Sequence, residues 1–371
     1  MKVALVHEYL NQFGGAERML QVLCALYPRA PIYTLLYDRD ATGGVFDGRI
    51  IKTSFLQNLP FAKKHHRVFP LLMPLAIEQF DFSDYDVVIS VSASFAKGII
   101  TKPQTKHICY CLTPPRFLWD NSQKFVEEFG YPKLVKKFLP PFITYLRIWD
   151  KEASLRVDEF WSISDFIRGR IKKYYSRDSK IIHPPVNVEK FQASDDVKNY
   201  FLMVGRLVSY KRFDLAVEAF KQNGLPLKIV GIGPELNKLR SLAYGNSLSK
   251  ASGNIEFLGL VSDEKLANLY SQAQACVFPQ EEDFGIVPLE SMASGRPVIA
   301  FKGGGAIETV VKNKTGIFFN EQTSESLGAA VEGFYNRDFN PKDCREQAEK
   351  FDIKVFKDKI LNLTMGPGMN N

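Results

Sequence analysis

Cysteine is scarce: the 371 residues hold five, Cys24, Cys109, Cys111, Cys276 and Cys344. An odd number without C-x-x-C spacing argues against a disulfide framework or a zinc ribbon. It fits a reduced, cytoplasmic compartment. No stretch reaches 18 uninterrupted apolar residues, so no segment reads as a membrane span. Met1 to Leu10 is a strand-like apolar run without the charged n-region of a signal peptide. The motifs G-x-x-x-x-G-K-[ST] and H-E-x-x-H are missing, which disfavours P-loop hydrolases and zincins. There is no fixed-period repeat, and only the tail, Met365 to Asn371, reads as disordered. What remains is ordinary globular composition, 45% hydrophobic and 24% charged, in a chain long enough for two or three domains.

The charge is unevenly placed. The formal net charge of +7 comes from 48 Lys and Arg against 41 Asp and Glu. Residues 1–190 hold 27 basic and 19 acidic residues, and residues 191–371 hold 21 and 22. The basic excess is therefore confined to the first half, an asymmetry that suggests two domains with different partners. A nearly neutral second half argues against a nucleic-acid binder.

Val3 to His7 is a short, continuous apolar run, as in a parallel strand buried on both faces. Gly14-Gly15 and a helix-spaced set, Met19, Leu20, Leu23, Leu26 and Tyr27, follow, with Pro28 as a stop. Strand, glycine turn and helix begin a Rossmann-like unit. Apolar runs at 32–36, 87–91 and 108–112 read as further strands of the same sheet. A linker-like segment, Pro184 to Ser194, follows. Strands are then expected at 201–204, 227–230, 255–258, 275–278 and 297–300, alternating with helices at 213–221, 235–242, 263–272 and 285–294. The pattern predicts an α/β protein of two doubly wound sheets facing a central cleft. The expected domains are 1–186 and 187–350, with the segment 351–371 packing back on the first.

Two constellations point to chemistry. In Pro279-Gln-Glu-Glu-Asp-Phe-Gly-Ile-Val-Pro-Leu-Glu290, a strand end and an acidic loop lead into a helix start. The amides of Phe284, Gly285 and Ile286 would leave its positive end free for a phosphate or a hydroxylated ring. Glu282 stands beside that end and Glu290 lies about a turn and a half inside. The second constellation is the loop Gly205-Arg206…Lys211 after the first strand of the second domain, where an arginine fork and a lysine point charge suit a diphosphate.

Together with Gly14-Gly15, Gly231-Ile-Gly233, Phe257-Leu-Gly259 and Gly303-Gly-Gly-Ala-Ile-Glu308, these motifs resemble glycosyltransferase family 4 over nearly the whole chain. The opening Val3 to Arg18 and the run Cys109 to Asp120 are similar to bacterial O-antigen and capsule mannosyltransferases. The resemblance implies a GT-B fold and retaining transfer of a sugar, mannose favoured, from a nucleotide diphosphate sugar such as GDP-mannose, with no metal or other cofactor. Arg206 and Lys211 would neutralise the leaving diphosphate and Glu282 would hold sugar hydroxyls, these three forming the catalytic set. Gly205, Phe284, Gly285, Ile286, Glu290 and Gly15 would bind the donor, with Glu290 on the ribose. Gly14, His7, Thr113 and Arg116 are the acceptor-side candidates. The expected partners are the nucleotide sugar and a glycan or polyprenyl-pyrophosphate-linked acceptor. The family often has a histidine where this chain has Leu112, which can neither give nor take a proton. A nucleotide-sugar epimerase, a phosphorylase of the same fold and a non-catalytic binding protein are the competing readings.

Other signals carry less. Asp84-Tyr-Asp86 has D-x-D spacing but precedes a strand without partner ligands, and reads as a solvated strand start. Gly231-Ile-Gly233 lacks the third glycine and acidic residue of a dinucleotide fingerprint. His107 reads as a strand-edge residue, His183 as part of the hinge, and Cys109 and Cys111 as core. Lys63-Lys-His-His-Arg67 with Phe61, and Lys133 to Phe142, interleave cations with aromatics at lengths too short to span. They suit peripheral contact with an anionic membrane, at the cytosolic face of the inner membrane.

Overall fold

The apolar runs become strands of two parallel sheets in the computed structural model, which describes residues 1–65, 69–120, 133–245 and 253–365. Contacts divide the chain into two units, Met1–Ile182 and His183–Asn371. The division falls just ahead of the expected break after 186. Contacts also group the C-terminal helix Ile353–Met365 with the second unit. Val186 N donates to Phe351 O at 2.9 Å and Ile353 N to Val186 O at 3.2 Å. The tail beyond Met365, and His66 and Arg67 of the first basic segment, lie outside the described residues.

The first unit contains β1 (Val3–Leu10), β2 (Ile32–Tyr37), β3 (Ile51–Thr53), β4 (Val87–Ser92), β5 (Lys106–Cys111), β6 (Glu159–Ser162) and β7 (Ser179–Ile181). Their order is β3-β2-β1-β4-β5-β6-β7, all neighbours parallel. The four longest match the expected runs. The other three escape a hydrophobicity reading: β3 and β7 are three-residue, partly exposed edge strands, and β6 is four residues of mixed polarity. Helix Gly15–Leu26 starts where Glu17 reaches back to accept from Gly14 N at 2.7 Å, satisfying an otherwise orphaned donor. Among the described residues no helix is long and apolar enough to cross a membrane.

The second unit contains β8 (Phe201–Val204), β9 (Leu227–Val230), β10 (Ile255–Gly259), β11 (Cys276–Phe278), β12 (Val298–Phe301) and β13 (Gly316–Phe319), in the order β10-β9-β8-β11-β12-β13. Five were expected; β13 begins on a glycine after Asn313-Lys314-Thr315, which reads as a turn. Phe201, Met203, Leu207, Phe213, Phe220, Ile229, Val277 and Ile299 form the core between this sheet and its helices. Each buried side chain of this size contributes about 2 kcal/mol. The crossover helices start on side-chain caps: Ser262 Oγ accepts from Lys265 N and Thr323 Oγ1 from Ser326 N, each at 3.2 Å.

Strand order reverses direction between β1 and β4 in the first sheet, and between β8 and β11 in the second. Such switch points splay the loops that leave the strands' carboxyl ends and open a crevice there. That places the Gly205–Arg212 loop, after β8, beside the Pro279–Gly285 loop, after β11.

Candidate functional site

The switch point of the second sheet brings together the two residues with opposite charge that the sequence singled out. Lys211 ends a short 3-10 turn, Ser209–Lys211, and Glu282 stands in the acidic loop. Lys211 Nζ lies 2.7 Å from Glu282 Oε1, with both side chains largely buried. The contact is a charge pair without a well-directed hydrogen bond, so Oε1 retains an unused acceptor direction. Gly205 backs the lysine: a Cβ there would sit 3.3 Å from Lys211 Cδ. Arg206 is on the same loop, exposed, with no side-chain partner among the described residues.

The acidic loop is held from beneath. Gly305 N donates to Glu282 O at 2.9 Å, and a Cβ on Gly305 would fall 2.3 Å from Phe284 Cα. The glycines after β12 therefore let one backbone lie directly on another and fix Glu282 in place. Gly285, at φ 89, turns the chain into helix Ile286–Ala293. Phe284 offers the site only its backbone, because its buried ring stacks on His183 at 5.5 Å and 21°. His183 Nε2 lies 3.1 Å from Glu308 Oε2. Sequence reasoning places His183 only at the hinge and assigns Glu308 no role. Glu290 is buried and its Oε2 accepts from Tyr270 OH at 2.9 Å. That hydroxyl, on helix Asp263–Gln272, is a partner no local pattern announces.

In the first unit, Glu8 at the end of β1 reaches across the switch point to the loop after β4. Its Oε1 accepts from Ser92 Oγ at 3.1 Å, Ala93 N at 2.9 Å and Ala96 N at 3.3 Å, and from Ser94 N. Beneath that loop lies a fully buried ion pair, Lys97–Asp150. Trp119 Nε1 and Tyr175 OH both donate to Asp150 Oδ2 at 2.8 Å, which distributes the carboxylate's charge and satisfies its lone pairs. Sequence reading missed this network because its members, from residue 8 to 175, meet only through the fold.

The acceptor-side candidates fare differently. His7 is buried and both ring nitrogens lack a hydrogen-bond partner; burial pushes its pKa below the usual imidazole value. Gly14 caps helix Gly15–Leu26, and a Cβ on Gly15 would meet nothing within 4 Å, so nothing inside the chain requires glycine there. The Thr113 hydroxyl is engaged: Arg170 donates to it, and to Pro114 O and Asp120. Arg116 opens the short helix Arg116–Trp119, half-buried. Leu112 N donates to Ser92 O at 2.8 Å. His107, expected at a strand edge, is fully buried; its Nε2 is 2.9 Å from Ser90 Oγ, and burial lowers its pKa to about 3. Asp86 accepts from Lys2 N at 2.6 Å, and among the described residues no group of three metal-ligating side chains gathers. Gly231 and Gly233 serve packing, because Cβ atoms there would strike the backbone of Gly205 and Leu207.

Comparison with known proteins agrees with this architecture. Residues 187–351 match the family model described as glycosyl transferases group 1. An uncharacterized glycosyltransferase of Methanocaldococcus jannaschii is 27% identical over 58% of this chain and 60% of its own length. An alpha-1,3/1,6-mannosyltransferase of Dictyostelium discoideum is 22% identical over 97% of both chains. An O-antigen chain mannosyltransferase C of Escherichia coli is 31% identical over 44% of this chain and 46% of its own. Among solved structures, Anabaena HepE in complex with UDP has a TM-score of 0.71 at 16% identity, covering 98% of this chain and 100% of that one. Residues 187–351 thus resemble the group 1 glycosyl transferases, within a chain of two Rossmann-like units that is family-4-like in sequence and GT-B in fold.

Proposed function

We propose that the protein is a retaining glycosyltransferase that moves mannose from GDP-mannose to a glycan acceptor, without a metal. The observation that carries this reading is the Lys211–Glu282 pair at the β8/β11 switch point, beside the amino end of helix Ile286–Ala293. Cation and helix terminus suit a diphosphate, and the carboxylate beside them suits sugar hydroxyls. Donor binding would exchange partners: Lys211 turns to phosphate oxygen and Glu282 accepts from the sugar. In the transfer, the acceptor oxygen bonds to the anomeric carbon on the face the diphosphate leaves. The bond from that carbon to the phosphate oxygen breaks, and the acceptor's proton passes to the departing phosphate. Lys211 and Arg206 stabilise the charge that develops there. No side-chain nucleophile is needed, which makes Leu112 tolerable. Relatives named as mannosyltransferases support mannose, and the O-antigen relative supports a role in bacterial surface polysaccharide synthesis.

The test is incubation with GDP-mannose, UDP-glucose and other nucleotide sugars, with and without a polyprenyl-pyrophosphate-linked glycan. Transfer with retained anomeric configuration, in the presence of a chelator, is the expected result. Isomerised donor would identify an epimerase, phosphate-dependent cleavage of a glycan a phosphorylase, and binding without turnover a non-catalytic protein.

A lipid-linked acceptor would be met at an anionic bilayer. Phe61 is 79% exposed beside the exposed Lys63 and Lys64, and Leu71, Leu72 and Leu75 follow at the surface. Phe142, Tyr145 and Ile148 form an exposed apolar stripe on helix Lys133–Leu155. The protein is expected to float with vesicles containing anionic lipid and to lose that binding when Phe61, Lys63 and Lys64 are replaced by Ser. Equal flotation of the triple variant would rule this patch out.

A further inference from the structure

Two separate grips on the turn that carries Glu282 end on one side chain, His183, the first residue of the second unit. Its ring lies flat on that of Phe284, with centroids 5.5 Å and planes 21° apart, and meets Phe351 edge-on at 5.2 Å and 61°. Phe284 is buried and also packs against Phe351 at 5.9 Å, so its ring is held on two sides. The second grip is polar. His183 Nε2 lies 3.1 Å from Glu308 Oε2; a carboxylate can only accept, so Nε2 carries the hydrogen. Glu308 is on the short helix Ala306–Thr309, and its N donates to Gly305 O at 3.0 Å. Gly305 N is in turn the donor that holds Glu282 O at 2.9 Å. One grip therefore fixes the turn through Phe284, the other through the backbone beneath Glu282.

We propose that His183 is a positioning residue for the donor site, holding the turn from Glu282 to Ile286 where its carboxylate meets the sugar and its amides meet the diphosphate. The inference rests on the donor-site reading above, which gives that placement its consequence. The residue type suits the task. A flat ring is needed to stack on Phe284 and a hydrogen at its edge to reach Glu308; phenylalanine supplies only the first and glutamine only the second. Misplacing substrate-orienting groups by about 1 Å costs up to about 10²-fold in rate, even when the altered residue is remote from the chemistry.

His183→Phe and His183→Gln each remove one grip. With GDP-mannose, at a temperature where both variants are folded, kcat/KM is expected to fall about tenfold or more in each. Combining either with Glu282→Gln should give a loss well short of the product of the single losses, because His183 acts through the turn that carries Glu282. A purely structural role predicts a lower Tm with normal turnover below it, and would overturn the proposal. So would a double variant whose loss equals the full product. If one single variant fails to fold, the other carries the test. If the wild type binds neither GDP nor UDP, the donor-site reading fails and this inference with it. If the wild type binds and transfers normally and a folded His183 variant matches it, the assignment of His183 alone fails.

Discussion

Lys211→Met is expected to lower turnover by on the order of 10²-fold or more while the second unit stays folded. The lysine's aliphatic stem lies against Gly205, and methionine keeps most of that packing. What is lost is the ammonium, 2.7 Å from Glu282 in the free protein and, on the proposed reading, the group that meets the diphosphate. Two roles are folded into one side chain, and nucleoside diphosphate binding separates them. If Lys211 meets phosphate, GDP affinity falls in Lys211→Met. In Glu282→Gln it holds or rises, because the competing carboxylate no longer claims the ammonium. Transfer falls in both variants. If instead the lysine only holds Glu282 in place, both variants bind GDP as the wild type does, and their losses of turnover are equal and do not add. Such a result, or an unchanged rate in Lys211→Met, would remove the lysine from the catalytic set.

The pairing itself was half legible. Lys211 and Glu282 sit 71 positions apart in sequence, and their type and loop placement were readable because each follows an apolar run that could only be a buried strand. Their contact follows from strand order, and a linear pattern does not carry strand order. The same limit explains the Glu8 and Lys97–Asp150 networks, whose members are spread over most of the first unit. It also explains Tyr270 on Glu290 and Arg170 on Thr113. Strands were recognised where they are long and fully buried and missed where they are short edges, because hydrophobicity marks burial and hydrogen-bonded pairing leaves no mark of its own.

Gly231 and Gly233 show packing where a glycine pair could be taken for a ligand loop, and they support the second large effect. Gly231→Ala is expected to destabilise the protein by about 3 kcal/mol or more, the range reached by backbone strain and overpacking. At roughly 2–4 °C per kcal/mol for a unit of this size, thermal unfolding should drop by about 10 °C. A Cβ at position 231 would stand 1.8 Å from Gly205 O and 2.9 Å from Gly205 C, on a residue whose φ of 140 already disfavours a side chain. Neither backbone can retreat, since Gly205 N is bonded to Val230 O at 3.0 Å and Gly231 N to Gly259 O at 2.9 Å. Relief would require breaking the β8–β9–β10 edge at the point where it positions the Lys211 loop, so activity should fall with stability. Gly15→Ala supplies the contrast. Its Cβ meets nothing, so Tm should be unchanged, and any loss of transfer then reports an approaching substrate. A Gly231→Ala protein that melts within a degree of the wild type would show that the loop can yield, and would overturn the packing role assigned to Gly231.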